Sequence, residues 1–248
     1  MENLLKPGER IDDLQFRGLK LIQDPESFCF GTDAVLLADF ATIKKNALVC
    51  DLGTGTGILP ILLWGRHEFA RCDAVEIQPS MAEMASRSMR LNGLQNHVNI
   101  WENDLRSVHD FLPGGVYGTV ICNPPYQQKK TGEQSHIEAH ALSRHEETCT
   151  LDDVCRAAAF LLKYGGSFAL IQRSDRLADV FSALRACKLE PKRCRLVQSR
   201  ADKPAYAVLV EAIKGGKQFL RFEPTLILFD ENGEESPEVK RIYHRKET

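Results

Sequence analysis

Residues 49–60 read Val-Cys-Asp-Leu-Gly-Thr-Gly-Thr-Gly-Ile-Leu-Pro, and this stretch decides the fold. The apolar run "ALVCDL" (47–52) reads as a buried strand, and the apolar residues over 57–65 read as a helix. Between them, Gly53, Gly55 and Gly57 let the backbone turn tightly and approach a ligand closely.

Outward from that unit the pattern repeats. Further strands are predicted over 71–77, 97–101, 118–123 and 166–172, and helices over 79–92, 151–163 and 175–186. Thr150 with Asp153 resembles a capping box opening the helix over 151–163. Such alternation predicts an α/β fold, a mostly parallel sheet with helices on both faces. Two further β-rich runs, 192–199 and 205–213, flank "RADKP" and predict a closing antiparallel hairpin, giving seven strands. Residues 1–45 stand outside the alternation, as a hairpin turning at Arg17-Gly18 and a short helix over 32–41. The expected organisation is an N-terminal extension (1–45), a main domain (46–230) and a polar tail (231–248) with one last helix at 237–243.

The glycine turn is G-x-G-x-G, which differs in spacing from the dinucleotide fingerprint G-x-G-x-x-G. Asp51 stands two residues before its first glycine. A carboxylate there repels a pyrophosphate and suits a ligand carrying an amino group and a sulfonium. S-adenosylmethionine is such a ligand. Glu76 ends the second strand, where an acid can take both ribose hydroxyls. Asp104, in "WENDL", follows the third and can accept from an adenine amino group or simply cap a helix. Three acids at the carboxyl ends of three successive strands lie where open α/β sheets bind ligands.

The fourth strand ends in "ICNPPY" (121–126). An exocyclic amine on a base is a poor nucleophile, because its lone pair is delocalised into the ring. The Asn123 amide oxygen and the Pro124 carbonyl are acceptors for its hydrogens, held stiffly by Pro124 and Pro125, and Asn123 is also expected to border the cofactor. Tyr126 offers a face on which a planar substrate stacks. A bare Pro-Pro is otherwise a rigid turn.

The order "GTDA", "DLGTGTG", "VEIQ", "NDL", "NPPY" resembles the amino-methyltransferases that modify nitrogen in adenine, guanine or glutamine. With "FCFGTDAVLLADF" near the start and "PKRCRLV" and "PAYAVLVEAIKGG" near the end, the chain is similar to the tRNA1(Val) adenine-37 N6-methyltransferase family. The resemblance implies a Rossmann-like methyltransferase fold and an adenine in tRNA as substrate. It also implies that Thr32 and Asp33 approach the methionine end of the cofactor, though the same pair could cap a helix. Glutamine-N5 and rRNA guanine-N2 methyltransferases share the motif or close variants of it. The former carry a helical N-terminal domain, unlike residues 1–45, and the duplicated sort of the latter need a longer chain.

Net charge is −2, yet residues 185–221 hold ten Lys and Arg against three acids. This basic region, with Lys192, Arg193, Arg195, Arg200 and Lys203, is the expected RNA-docking face, closed over by the polar segment 127–148. His136 and His140 in that segment have a spacing that zinc can use, but no third ligand is obvious and no metal is expected. Arg144-His145-Glu146 is assigned to ordering the segment over substrate. Eight scattered cysteines without a C-x-x-C pair suggest a reducing cytoplasm. The longest apolar stretch, 58–64, is too short to span a membrane. A nicotinamide oxidoreductase and a non-catalytic RNA-binding module are the rival classes.

Overall fold

The computed structural model describes residues 4–26, 29–124 and 149–244. Its centre is a sheet in which five parallel strands occupy one side: β3 (Leu48–Leu52), β4 (Arg71–Glu76), β5 (Val98–Glu102), β6 (Tyr117–Cys122) and β7 (Leu162–Arg173). Beyond β7 lie the antiparallel β9 (Ala205–Lys214) and then β8 (Leu189–Gln198), so the spatial order is β5-β4-β3-β6-β7-β9-β8. These are the seven expected strands. Two very short strands, β10 (Arg221–Phe222) and β11 (Leu226–Ile227), add parallel pairings along β8 that had not been anticipated.

Parallel strands covered on both faces are continuously apolar, and here they separate two cores. On one face α1 (Thr32–Phe40), α2 (Ile58–Arg66) and α3 (Pro79–Leu91) cover Val49, Cys72, Ala74 and Ile121. On the other, α4 (Leu151–Leu161) and α5 (Leu177–Ala186) cover Cys50, Leu52, Val75, Val120 and Cys122. Buried Cys50, Cys72 and Cys122 serve as small apolar side chains, and all eight cysteines are free. The capping box is present: the Thr150 hydroxyl accepts from Asp153 N, and the Asp153 carboxylate accepts from Thr150 N at 2.9 Å. A last helix, α6 (Pro237–Ile242), packs on α1.

The N-terminal hairpin, β1 (Arg10–Asp13) and β2 (Lys20–Gln23), forms a separate two-stranded sheet seated on α3. Ile22 N donates to Ser88 Oγ at 3.1 Å. The Arg87 guanidinium binds both oxygens of Glu9 and donates to the Leu4 carbonyl, with both side chains 6 % exposed. Among the described residues no helix is long and apolar enough to cross a membrane.

Candidate active site

The carboxyl ends of β3, β4 and β6 meet at one edge of the sheet, because Leu52 pairs with both Val75 and Cys122. The residues just after these strands therefore lie side by side: the glycine turn after β3, Ile77 after β4, and Asn123 with Pro124 after β6.

The three glycines of the turn have different jobs. All have positive φ, at 74°, 56° and 86° in order. A Cβ on Gly53 or Gly55 would meet nothing within 4 Å, so these two face open space. A Cβ on Gly57 would stand 2.7 Å from Met89 Cε and 3.3 Å from Ala85 Cβ, so this glycine lets α2 pack against α3. The turn hangs on β4 through Gly53 N and Thr54 N, which donate to the Val75 carbonyl at 2.9 and 3.0 Å.

Asp51 is fully buried, and neither carboxylate oxygen has a hydrogen-bond partner among the described residues. Burial pushes its carboxyl up to about 7. The nearby Thr54 hydroxyl pulls the other way, although it makes no hydrogen bond of ordinary geometry, and the Glu76 charge adds a smaller rise. A buried acid with no partner costs free energy that a buried, hydrogen-bonded one does not. A cation placed against it would relieve that cost.

Glu76 is 5 % exposed and already holds part of the protein. One oxygen accepts from Gly55 N at 2.8 Å and the other from Gln78 N at 2.9 Å. Each oxygen keeps a lone pair for a further donor. The sequence reading reserved this acid for ribose hydroxyls and missed its hold on the turn.

Asp104 caps the 3₁₀ turn Leu105–Asp110, accepting from Arg106 N at 2.9 Å, and pairs with the Arg106 guanidinium. The hydrogen bond from the Arg106 guanidinium, outweighing burial, holds its carboxyl below the ordinary range. Of the two readings offered for Asp104, capping is the one with a contact. Thr32 and Asp33 open α1, but the N-cap is Gly31 and no side chain caps the helix. Asp33 instead accepts from the Tyr206 hydroxyl at 3.5 Å. Tyr206 was not singled out; its only signal was its place at the start of a strand, behind a proline. Thr54, beside Asp51, was likewise passed over.

Asn123 and Pro124 are half-buried at the end of β6. Pro125, Tyr126, His136, His140 and the segment 127–148 lie outside the described residues. Among the described residues no group of His, Cys, Asp and Glu could hold a metal.

The expected docking cations are largely committed elsewhere. Arg193 stacks on Phe40 at 4.1 Å, donates to the Phe40 carbonyl, and faces Glu211 and Glu223 at 3.4 and 3.3 Å. Arg195 pairs with Glu238 at 2.7 Å and donates to the Pro224 carbonyl at 2.9 Å. Lys203 lies 3.7 Å from Asp202. On a β-strand the side chains of Arg193 and Arg195 share one face, here the one covered by α1 and the C-terminal segment. The sequence count of charges could not see that cover.

Comparison with known proteins agrees with this geometry. Residues 27–186 match the family model of the methyltransferase small domain. A tRNA1(Val) (adenine(37)-N6)-methyltransferase of Aliivibrio salmonicida is 34% identical over 145 residues, 56% of this chain and 58% of that protein. The protein of the same description from Porphyromonas gingivalis is 28% identical over 93% of both chains. The structure of a predicted O-methyltransferase from Agrobacterium tumefaciens superposes with a TM-score of 0.70 at 25% identity, covering 86% of this chain and 96% of that one. A Rossmann-like sheet, an acid-led glycine turn and a family match over well more than half of the chain converge: the chain belongs to the methyltransferase small domain family and is an S-adenosylmethionine-dependent methyltransferase.

Proposed function

We propose that this enzyme methylates N6 of an adenine in tRNA, at position 37 of tRNA1(Val). The observation that carries the reading is the placement of Asn123 and Pro124 beside the glycine turn, through the pairing of Leu52 with Cys122. The substrate is supported by the relatives, which bear that activity in their names.

S-adenosylmethionine supplies an electrophilic methyl group on a sulfonium. The orphaned Asp51 carboxylate and the open space at Gly53 and Gly55 fit a cationic, extended ligand. On this reading Asp51 takes the ligand's positive end, Glu76 its ribose hydroxyls, and Gly53 and Gly55 lie against it. Gly57 acts at one remove, through packing. Thr32 and Asp33 border the methionine end, with Tyr206 orienting Asp33. Asp104, once its pairing with Arg106 is counted, has acceptor capacity left for an adenine amino group.

Asn123 Oδ1 and the Pro124 carbonyl accept the two hydrogens of the substrate amine. Drawing on both hydrogens pulls the nitrogen towards a tetrahedral shape and returns its lone pair for attack. As the N–C bond forms and the methyl–sulfur bond breaks, leaving a neutral thioether, positive charge passes to nitrogen. There the same acceptors stabilise it without reorganising until the surplus proton is lost to water. Pro125 stiffens the turn, and Tyr126 stacks on the adenine ring. RNA is held by cations of the basic region 185–221.

Single-turnover methyl transfer to unmodified tRNA, followed by nucleoside mass spectrometry, tests the reading. N6-methyladenosine at position 37 is expected. Product only on guanine-N2, or no methylated nucleoside at all, would overturn it.

A further inference from the structure

We propose that the sheet edge opposite the glycine turn is a second RNA-docking surface, recognising tRNA outside its anticodon loop. The inference rests on the tRNA reading above and corrects which cations of the basic region serve it.

Pairing of Tyr117 with Leu162 puts the start of β7 at that far edge. Pairing of Leu189 with Lys214 brings the start of β8 and the end of β9 to the same place. β6 spans six residues, so this edge lies about 20 Å or more from Asn123 at roughly 3.3 Å per residue. A cleft of about 400 Å³ opens there, lined by Arg185, Lys188, Glu190, Gly215, Gly216 and Gln218.

Lys163, Lys188 and Lys217 are exposed around it. Two more lysines are held against neutral carbonyls, which fixes their position without cancelling their charge. Lys192 Nζ donates to the carbonyls of Lys217, Gln218 and Phe219 at 2.9, 2.8 and 2.8 Å. Lys214 Nζ donates to the Leu162 carbonyl at 2.7 Å. The acid lining the cleft, Glu190, is taken by Arg185 at 2.7 Å. This differs from Arg193 and Arg195, whose charges are met by carboxylates.

Two aromatic rings stand among these cations. Tyr164 is 81% exposed and lies against Gly215, its hydroxyl donating to the Gly215 carbonyl at 3.0 Å. Phe219 is 87% exposed and has φ 87°, a backbone conformation costly for a bulky residue. Lys192 clamps the loop that presents it. Fixed cations interleaved with exposed rings match a phosphate backbone with accessible bases. A duplex carries one charge per about 1.7 Å of axis, so a cluster of this size meets several phosphates.

The test uses Lys188→Glu with Lys217→Glu, and separately Phe219→Ala and Lys217→Gln. Binding of full-length unmodified tRNA and of its isolated anticodon stem-loop is measured across a salt series. Melting and S-adenosylmethionine calorimetry confirm folding, and Lys217→Gln serves should the double reversal fail to fold. For full-length tRNA the double reversal is expected to reduce the log–log salt slope by about two units, and Lys217→Gln by about one. Phe219→Ala should weaken binding about tenfold by loss of stacking. Stem-loop binding should not change. Unchanged slopes in folded variants overturn the surface, as does binding to phosphatidylserine vesicles in place of tRNA. A wild-type enzyme that shows the slope but never methylates tRNA sinks the substrate reading and leaves the surface standing.

Discussion

The Glu76 carboxylate accepts a hydrogen bond from Gly55 N at 2.8 Å, so the acid ending one strand holds the turn that follows another. On the proposed reading, ligand contact and loop conformation share one side chain. Glu76→Ala should weaken S-adenosylmethionine binding by about 1–3 kcal/mol and also lower the melting temperature of the ligand-free protein. Glu76→Gln should recover part of the melting loss and less of the affinity, since the amide offers one acceptor oxygen in place of two. Calorimetry and thermal melting on the pair separate the roles; equal affinities in wild type and Glu76→Ala would refute ligand contact.

Asp51 should link binding to pH. Its folded carboxyl stands at about 7, above the ordinary value of 3.8. Below both values the acid is protonated folded and unfolded, and no penalty arises. As pH rises from about 4 to 7 the unfolded chain ionises first, and the ligand-free protein loses up to about 4 kcal/mol. A cationic ligand favours the ionised acid, so binding below pH 7 should release a proton and strengthen as pH rises. Asp51→Asn should melt higher at pH 8 without ligand, bind the donor worse, and release no proton. Calorimetry in buffers of different ionisation enthalpy reads the release directly.

Gly55 and Gly57 should separate binding from stability. Gly55→Ala adds a methyl facing open space, leaving the backbone strain of about 1 kcal/mol and a steric block to the donor. It should fold nearly normally and lose most donor affinity. Gly57→Ala adds the same strain and a methyl 3.3 Å from Ala85 Cβ, while the Met89 side chain end at 2.7 Å can shift, so its principal loss, about 1–2 kcal/mol, should be in urea stability. If Gly57→Ala matched Gly55→Ala in both assays, the division of labour would fail.

Asn123→Ala removes an acceptor needed most as charge develops on nitrogen. Turnover should fall about a hundredfold or more while donor affinity stays within a factor of two, by comparison with lost oxyanion-hole donors. Single-turnover rates at saturating donor, with melting as control, decide. A folded Asn123→Ala enzyme with normal rate would leave "NPPY" a stiff turn.

Periodicity carried the fold because each strand–helix unit announces itself locally: "ALVCDL", three glycines, then "ILPILLW" admits one local structure. The strand ends followed within a residue or two, and with them the edge on which Asp51, Glu76 and Asn123 meet. What sequence could not supply was each side chain's partner. Asp104 and Arg106 are two residues apart and could have been paired on paper; Asp33 and Tyr206, or Arg193 and Phe40, are separated by more than 150 residues and meet only through the sheet order. Counting charges over 185–221 therefore summed cations sealed by carboxylates with cations held against carbonyls. The short β10 and β11 carry no periodic signal in two residues each.

The sheet order has a consequence for synthesis. β9 sits between β7 and β8, yet β8 precedes it in the chain. From the completion of Arg173 until Ala205 and its successors emerge, the twelve-residue β7 has an open edge rich in Phe168, Ala169, Leu170 and Ile171. At translation speeds of about 5–20 residues per second that interval is on the order of seconds. An unpaired apolar edge of that length invites β8 to dock out of place, or a neighbouring nascent chain to add a strand. The nascent chain thus passes through a window in which this edge is protected only once β9 has been made.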